Sequence, residues 1–414
     1  MLGNESAPRP RHMKRAAGQD RSLTARWRPA TQAVRAGTWR SEQGETSEAI
    51  YVNSGYTYDN AATAAARFAG EEPGMTYSRG QNPSVQMLEE RIAMMEGAEA
   101  CRAQASGMAA MSGVMLSQLS AGDHLVAARA LFGPCRWVIE NVLPRFGIET
   151  TLVDSTVNEE WDAAIRPETK LFFFETPANP TMEVADIAAI SEIAHAKGIP
   201  VAVDNAFASP ALQKPMEFGA DIVAYSATKL MDGQGRVLAG AVCASKDWIN
   251  EHLLPWQRNT GPTLAPFNAW VVLKGLETLE LRAMKQSENA LEVARWLEGR
   301  GLNVLYPGLE SHPQHDLAAK QMRASGTIFS ILLEGGREDA WALLDALQLI
   351  DISNNIGDTR SLMCHPASTT HYTVGEEGRA AMGVTDGMVR LNVGLEDPQD
   401  LIEDLERALD TAGL

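Results

Sequence analysis

The sequence predicts an α/β protein whose larger part contains a mostly parallel β-sheet covered by helices on both faces, followed by a smaller α+β C-terminal part. From about residue 85, short apolar runs alternate with longer helical patterns. This alternation is typical of βα units, which place helices on both faces of a parallel sheet. After about residue 260 the order changes to a long helix, a strand and further helices, which indicates a separate α+β domain.

The individual elements follow from hydrophobic periodicity and from turn residues between the periodic segments. In the larger part, strands are predicted over residues 123–128, 149–153, 171–174, 200–203 and 222–225, and helices over residues 85–95, 137–143 and 187–197. In the smaller part, helices are predicted over residues 269–298, 337–349 and 397–412, and a strand over residues 326–333. Because ligands of parallel sheets bind beyond the carboxyl ends of the strands, we expect functional residues in those loops.

The chain length and the net charge limit the class of protein to which this sequence can belong. A chain of 414 residues exceeds what one hydrophobic core usually fills, so more than one domain is expected. The formal net charge of −17 argues against nucleic acid or an anionic membrane as partner, because both require basic surface. No apolar run approaches the ~20 residues of a membrane span, so we expect no membrane association.

Cysteines, histidines and the first residues add three expectations. The four cysteines are scattered, too few for a disulfide framework, which favours free thiols and a cytoplasmic location. The eight histidines lack the spacing of a metal site, so no metal is expected. Residues 1–30 carry seven Lys or Arg against Glu5 and Asp20. This composition predicts a disordered basic tail, with an organellar transit peptide as the alternative.

Three features lie at strand ends or in the loops that follow strands. Asp204 follows the apolar strand 201–203, where a carboxylate must be paired or functional. Lys229 follows the predicted strand 222–225 by four residues, with Ser226 and Thr228 just before it. The sequence Ser106-Gly107-Met108 is a small-residue turn before a helical stretch, a suitable phosphate site at a helix N-terminus.

Together, these features match the requirements of pyridoxal phosphate. A lysine must form a Schiff base with the cofactor, an acid must keep the ring nitrogen protonated, and donors must hold the phosphate. Each feature alone is weak, since a single lysine is usually a solvated charge and Asp204 could equally cap a helix. A nucleotide-dependent oxidoreductase is the less favoured alternative, because no Gly-rich strand–helix fingerprint is present.

From about residue 31 to the C-terminus, the chain resembles the Cys/Met-metabolism family of pyridoxal-phosphate enzymes. The motifs that carry the resemblance occur in order along the chain: Tyr77-Ser78-Arg79 with Asn82-Pro83, Ser106-Gly107-Met108, the segment from Glu175 to Asn179-Pro180, Asp204-Asn205 with Phe207, Ser226 to Lys229, the segment 266–270, the segment 365–368 and the segment 389–394. The resemblance implies an aspartate-aminotransferase-like large domain of fold type I over residues 80–264, with a mostly parallel seven-stranded sheet. It further implies a small domain over residues 265–414 and an N-terminal arm over residues 31–79.

The resemblance also implies roles for individual residues. Lys229 would carry the cofactor, Asp204 would pair with the ring nitrogen, and Arg390 would hold the substrate carboxylate as a bidentate pair. Asn179 would lie near the ring oxygen. The cofactor phosphate would be bound by Ser106, Gly107, Met108, Ser226 and Thr228. Tyr77 and Arg79 would reach the cofactor of a neighbouring subunit, which implies dimers with shared active sites, assembled into a homotetramer.

Three departures from the family pattern point to one branch of it. Phe132 replaces the usual ring-stacking tyrosine, so a titratable hydroxyl is missing and Lys229 is left as the main acid–base group. The residues after the lysine include Gly233-Gln234-Gly235-Arg236, and Asn355-Ile356-Gly357 precedes Asp358-Thr359-Arg360. These features resemble the O-succinylhomoserine sulfhydrylase branch, which uses a homoserine ester and sulfide in methionine biosynthesis.

The expected reaction is γ-replacement of succinate by sulfide to give homocysteine. Asn355 is expected near the substrate, and Arg236 or Arg360 could bind the distal succinyl carboxylate, since a guanidinium fits that group. The alternatives that share the cofactor are cystathionine γ-synthase, O-acetylhomoserine sulfhydrylase and methionine γ-lyase. Cys135 stands one place from the position of the reactive cysteine of the lyase. A non-catalytic binding protein is a further alternative, and the intact Lys229, Asp204 and Arg390 argue against it.

Overall fold

A computed structural model describes residues 14–15 and 21–414. Most of the predicted basic tail, residues 1–13 and 16–20, lies outside these residues. The described end of that tail is folded instead: α1 (Arg21–Thr24) is a short helix, and Thr24 is buried. The other elements before the first domain are β1 (Lys14–Arg15), α2 (Pro29–Arg35), β2 (Trp39–Arg40) and α3 (Ala61–Ala69).

The larger sheet has seven strands and is mostly parallel, as predicted. Its strands are β3 (Ala100–Gln104), β4 (His124–Ala128), β5 (Glu149–Val153), β6 (Thr169–Glu175), β7 (Val201–Asp204), β8 (Ile222–Tyr225) and β9 (Gly240–Ala244). The strand order is β3-β9-β8-β7-β6-β4-β5, and β9 is antiparallel to both of its neighbours. The carboxyl ends of β6, β7 and β8 therefore meet at one edge of the sheet.

Helices surround this sheet and bury its apolar side chains. They are α4 (Pro83–Glu96), α5 (Gly107–Gln118), α6 (Gly133–Trp137), α7 (Asn158–Ala163), α8 (Ile187–His195), α9 (Ser209–Leu212), α10 (Lys246–Trp248) and α11 (Leu254–Thr260). The start of α4 shows why these helices begin where they do. The Asn82 side chain accepts the N–H of Ser84 and Pro83 occupies the first turn, so capping and a preset φ angle both favour helix initiation.

The smaller C-terminal domain has a five-stranded, mostly antiparallel sheet. Its strands are β10 (Asn303–Leu305), β11 (Ile328–Leu332), β12 (Asp351–Ile352), β13 (Leu362–Cys364) and β14 (Met388–Asn392), in the order β10-β11-β14-β13-β12. The helices of this part are α12 (Pro266–Leu276), α13 (Leu279–Gly299), α14 (His315–Gln321), α15 (Arg337–Ala346), α16 (Gly375–Ala381) and α17 (Pro398–Ala412). Strands β10, β11, β13 and β14 and helices α13, α15 and α17 enclose a second apolar core, whereas most of the buried apolar side chains of α12 belong to the core of the large sheet. The boundary near residue 265 stays a prediction.

One predicted element is wrong: the single helix over residues 269–298 is two helices, α12 and α13. Thr278 leaves the helical conformation, with φ −114° and ψ 6°. The Arg282 guanidinium donates to the carbonyl oxygens of Leu230 and Gly275, at 2.9 Å each. Arg282 therefore holds the helix break against the loop that contains Lys229, because Leu230 directly follows that lysine.

Candidate active site

Lys229 lies in the loop after β8, at the edge where the parallel strands end. Its Nζ donates to Oδ1 of Asn355, 2.9 Å away, and Asn355 belongs to the second domain. Burial, together with the nearby Arg390 charge, lowers the pKa of Lys229 to about 8. A lysine with this pKa has a substantial neutral fraction near neutral pH, as a nucleophile or base requires.

Asp204 is the last residue of β7, and it pairs in register with Glu175 at the end of β6. Both carboxyl groups are buried. Burial raises the pKa of Asp204 to about 7, and burial plus the neighbouring Asp204 raise the pKa of Glu175 well above its usual range. Two buried carboxyl groups side by side disfavour double ionisation unless a cation joins them. The protonated ring nitrogen of pyridoxal phosphate is such a cation.

Three of the predicted phosphate ligands, Ser106, Gly107 and Ser226, form a cradle at the N-terminus of α5. The Ser106 side chain caps this helix by accepting the N–H of Ala109 at 3.1 Å. Gly107 lies so close to Ser226 that a Cβ atom on the glycine would be 2.6 Å from the serine Cβ. Free N–H groups at a helix N-terminus bind anions, so the three residues form a narrow site of the right charge for a phosphate.

The other two predicted phosphate ligands border this cradle. The Thr228 hydroxyl donates to the Ala239 carbonyl oxygen at 3.1 Å and accepts the Ala239 N–H at 3.0 Å. Met108 is half-buried, and its sulfur lies 3.8 Å from the Cys135 sulfur. Thr228 therefore fixes the loop between β8 and β9, while its neighbour Ser226 faces Gly107.

Replacement of Gly107 with alanine is expected to weaken cofactor binding about tenfold or more, because the new methyl group overlaps Ser226 and overpacking costs about 1–3 kcal/mol. Equilibrium dialysis of the apoprotein with pyridoxal phosphate measures the change. Gly299→Ala is the matched control, since nothing lies within 4 Å of a Cβ at Gly299. Equal cofactor affinity of the two variants would show that Gly107 does not border the phosphate site.

Arg390 lies in the middle of β14, and its side chain extends to the large domain. Its Nη1 donates to Oδ1 of Asn179 at 2.9 Å and its Nη2 to the Asn354 carbonyl oxygen at 2.8 Å. The guanidinium is buried, and its Nε has no hydrogen-bond partner among the described residues. Its direct partners are neutral, so this buried cation retains its affinity for an anionic carboxylate.

Phe132 lies at the start of α6, next to the two carboxyl groups. Its backbone N–H donates to Oε2 of Glu175 at 2.7 Å, and its half-buried ring packs against the core of the large domain. The aromatic ring therefore stands in the loop after β4, at the same edge as Asp204. Glu175 was missing from the predicted site, although it ends an apolar strand just as Asp204 does.

The two branch-specific loops pack against each other beside Lys229. The Thr359 N–H donates to the Gly233 carbonyl oxygen at 3.0 Å, and a Cβ on Gly357 would be 2.4 Å from the Leu230 nitrogen. Arg236 is exposed but forms an ion pair with Asp232, with Nε and Oδ1 2.9 Å apart. The Arg360 side chain is exposed. Of the two arginines, Arg236 is therefore already partnered.

Tyr77 and Arg79 stand apart from Lys229 within one subunit. The Arg79 guanidinium lies 5.1 Å from the centre of the Tyr77 ring, and its Nε donates to the Arg258 carbonyl oxygen at 2.8 Å. Both residues are at the surface, and Tyr77 is 47% exposed. This placement fits residues that serve another subunit's site, which stays a prediction.

The histidines of the segment that covers Phe132 have hydrogen-bond partners. His365 contacts the Ser368 hydroxyl at 2.7 Å and the Asp386 carbonyl oxygen at 2.8 Å. His371 contacts the Thr370 hydroxyl at 2.9 Å, and burial lowers its pKa to about 4. Across residues 21–414 no group of three or more His, Cys, Asp or Glu is placed to hold a metal ion.

The residues present fit pyridoxal phosphate. Lys229 is a partly neutral amine, the Asp204–Glu175 pair suits a cation, and the N-terminus of α5 suits an anion. A family model for Cys/Met metabolism PLP-dependent enzymes matches residues 30–410. The chain belongs to this family. Its fold is accordingly that of fold type I pyridoxal-phosphate enzymes, and pyridoxal phosphate is its cofactor.

Two bacterial relatives of this Cys/Met-metabolism enzyme share nearly half of its residues. The O-succinylhomoserine sulfhydrylase of Mycobacterium tuberculosis is 49% identical over 386 residues, with 92% of this chain and 95% of the relative covered. The O-succinylhomoserine sulfhydrylase of Pseudomonas aeruginosa is 48% identical over 381 residues, with 92% and 94% covered.

A solved structure extends the likeness to the fold. The metY protein of Campylobacter jejuni, assigned as an O-acetylhomoserine (thiol)-lyase, has a TM-score of 0.89 and 34% identity, with 93% of this chain and 100% of that chain covered. That protein carries an N'-pyridoxyl-lysine-5'-monophosphate group.

Proposed function

We propose that this enzyme catalyses γ-replacement on O-succinylhomoserine, in which sulfide displaces succinate and homocysteine is formed. The observation that carries the proposal is the near 50% identity, over more than nine-tenths of the chain, to O-succinylhomoserine sulfhydrylases of two bacteria. The site geometry supports it, because Lys229, Asp204 and Arg390 converge at one edge of the sheet. The product places the enzyme in the biosynthesis of sulfur amino acids.

Lys229 moves the protons in this proposal. When bound, pyridoxal phosphate supplies an electron-accepting ring that stabilises negative charge on the substrate carbons near the amine. Lys229 Nζ removes a proton first from the substrate Cα and then from Cβ, which allows succinate to leave Cγ, and it returns a proton to each carbon after sulfide has added at Cγ. Its pKa of about 8 suits both tasks, since a base works best when its pKa is near the working pH.

Asp204 and Arg390 hold the reacting groups. Asp204, as the anion, keeps the ring nitrogen protonated, and a cation placed beside it favours that ionised form. Arg390 binds the α-carboxylate of the substrate with two parallel hydrogen bonds, with Asn179 fixing one of its nitrogens.

The nearest alternatives differ in nucleophile or leaving group. In a methionine γ-lyase we would expect a reactive cysteine near Phe132. Cys135 is buried, and its pKa is raised well above the usual range by burial and by Asp204 and Glu175, so its thiol is a poor nucleophile at neutral pH. This observation favours replacement over elimination. It leaves cystathionine γ-synthase and O-acetylhomoserine sulfhydrylase as the alternatives to be tested.

The N-terminal arm supports a dimer with shared active sites. Helix α3 has no buried residue, and Val52 and Phe68 are 76% and 73% exposed. Large apolar side chains exposed in one extended segment are typical of an interaction site. With Tyr77 and Arg79 in the same arm, a second copy of the chain is the partner that fits. We further propose a homotetramer of two such dimers in the cytoplasm. As a separate finding, the described helices include none long and apolar enough to cross a membrane.

The ester preference tests the leaving group. Initial rates with O-succinyl-, O-acetyl- and O-phosphohomoserine, each with sulfide, should give the highest kcat/KM for the succinyl ester. Homocysteine is the product to quantify. A higher kcat/KM for the acetyl ester would assign the protein to O-acetylhomoserine sulfhydrylase instead.

Replacement of Arg360 or Arg236 with alanine tests how the distal carboxylate is bound. Replacement of the arginine that binds this carboxylate is expected to lower kcat/KM for the succinyl ester about tenfold, because a hydrogen bond between charged groups contributes about 1.5–3 kcal/mol. The acetyl ester has no such carboxylate, so its kcat/KM should stay unchanged. Arg300→Ala, on the surface of the small domain, is the control. If both variants affect the two esters equally, neither arginine recognises the succinyl group.

A further inference from the structure

Glu175 is a buried acidic residue of the site to which no role has been assigned so far. It ends β6, only 3% of its surface is exposed, and it stands in register with Asp204 on β7. A second carboxyl group beside the one that faces the ring nitrogen is unfavourable by itself, because like charges repel in a buried site. We therefore expect the Glu175 carboxyl group to have a function that offsets this unfavourable repulsion.

The Glu175 carboxyl group connects two loops on opposite sides of the site. Its Oε2 accepts the backbone N–H of Phe132 at 2.7 Å. The backbone N–H of Asn179 also stabilises its charged form, as does the Arg390 charge. Phe132 carries the aromatic ring predicted to stack on the cofactor, whereas the Asn179 side chain accepts a hydrogen bond from Arg390 at 2.9 Å.

We propose that Glu175 is a positioning residue that fixes Phe132 on one side and the Asn179–Arg390 pair on the other, relative to Asp204. One rigid side chain thereby sets the distance between the cofactor ring and the group that binds the substrate carboxylate. The effect on substrate binding rests on the proposed function, while the effect on the cofactor rests on membership of the family alone.

The chemistry of the two contacts explains why a carboxylate stands here. Both oxygens of a carboxyl group can accept a backbone N–H, even when the group is protonated, so they suit two N–H donors. A glutamine has the same shape, but one of its ends is a donor and would face an N–H group. Aspartate keeps two acceptors but is one methylene shorter, so it can serve the two donors only in part.

The test combines three variants of the holoenzyme with two measurements. The variants are Glu175→Gln, Glu175→Asp and, as the matched control, Glu183→Gln. Glu183 is also a largely buried acid of raised pKa, but its side chain accepts a hydrogen bond from Ser155. The measurements are the visible circular dichroism of the bound cofactor without substrate, and KM and kcat for the homoserine ester.

We expect Glu175→Gln to change the visible circular dichroism and to raise KM about tenfold, because an N–H group loses its acceptor. In Glu175→Asp the visible circular dichroism and KM should both lie closer to the wild-type values. Glu183→Gln should leave both quantities unchanged. If Glu175→Gln no longer binds cofactor, recovery of the native visible signal in Glu175→Asp still supports the proposal. A native visible spectrum and native KM in Glu175→Gln would overturn it, and so would equal effects in Glu183→Gln.

The cofactor measurement separates this proposal from the proposed function. The visible circular dichroism is recorded without substrate, so it responds to the position of the ring whatever ester the enzyme uses. If the succinyl ester proves a poor substrate while Glu175→Gln still changes the visible signal, only the proposed substrate is wrong. A change confined to the pH profile, with native visible signal and KM, would indicate a purely electrostatic role and contradict positioning.

Discussion

Replacement of Lys229 with alanine is expected to abolish the visible absorption band of the covalently bound cofactor and to lower kcat by about three orders of magnitude or more. The loss combines two effects: the covalent attachment disappears, and so does the base that moves protons at the substrate carbons, a contribution of about 10²- to 10⁴-fold by itself. Absorption spectroscopy and steady-state homocysteine formation measure the two effects separately.

Lys197→Ala is the control for this prediction, because Lys197 is an exposed lysine beyond the end of α8. It should retain both the band and the rate. If the protein were a non-catalytic binding protein, the wild type and Lys197→Ala would also form no homocysteine. Retention of the visible band in Lys229→Ala would mean that another amine carries the cofactor, and would contradict the assignment of Lys229.

Replacement of Asp204 with asparagine is expected to lower kcat by about two to four orders of magnitude. Asparagine keeps the shape but not the charge, so the ring nitrogen loses the anion that keeps it protonated. Removing one partner of a buried ion pair costs about 3–5 kcal/mol, and each 1.36 kcal/mol corresponds to a tenfold change in rate. Rates measured at saturating cofactor and substrate give the value.

The cofactor should remain attached in Asp204→Asn, since Lys229 is unchanged, and its absorption maximum should shift with the protonation of the ring. Asp162→Asn, outside the site in α7, should match the wild type in both respects. Unchanged kcat in Asp204→Asn would show that the ring nitrogen is protonated by another group, with Glu175 as the neighbouring candidate.

Much of the candidate site at the carboxyl ends of the parallel strands could be predicted from sequence, because its residues follow strongly apolar strands. Strands β5 and β8 were predicted with their observed bounds, and Asp204 and Lys229 lie at strand ends or just beyond. Glu175 was missed although it also ends an apolar strand. Its partners are backbone N–H groups and the register neighbour Asp204, and no local pattern specifies these contacts.

The elements that escaped prediction have weak local signals or depend on tertiary contacts. Strands β3 and β9 are built largely from small residues, which have low β-propensity. Their extended conformation therefore depends on their pairing with each other. The break between α12 and α13 depends on Arg282, whose partners include a carbonyl of the distant lysine loop. The ion pair of Arg236 with Asp232 likewise arises from loop geometry.

A competition between sulfide and cysteine distinguishes a sulfhydrylase from the other candidate enzymes of the family. The holoenzyme is given O-succinylhomoserine with equal concentrations of sulfide and cysteine, and the products are quantified by mass spectrometry. We predict that homocysteine exceeds cystathionine and that the keto acid produced by elimination is a minor product. Cystathionine as the main product would identify a cystathionine γ-synthase, and a predominance of the keto acid would identify a lyase; either result would contradict the sulfhydrylase proposal.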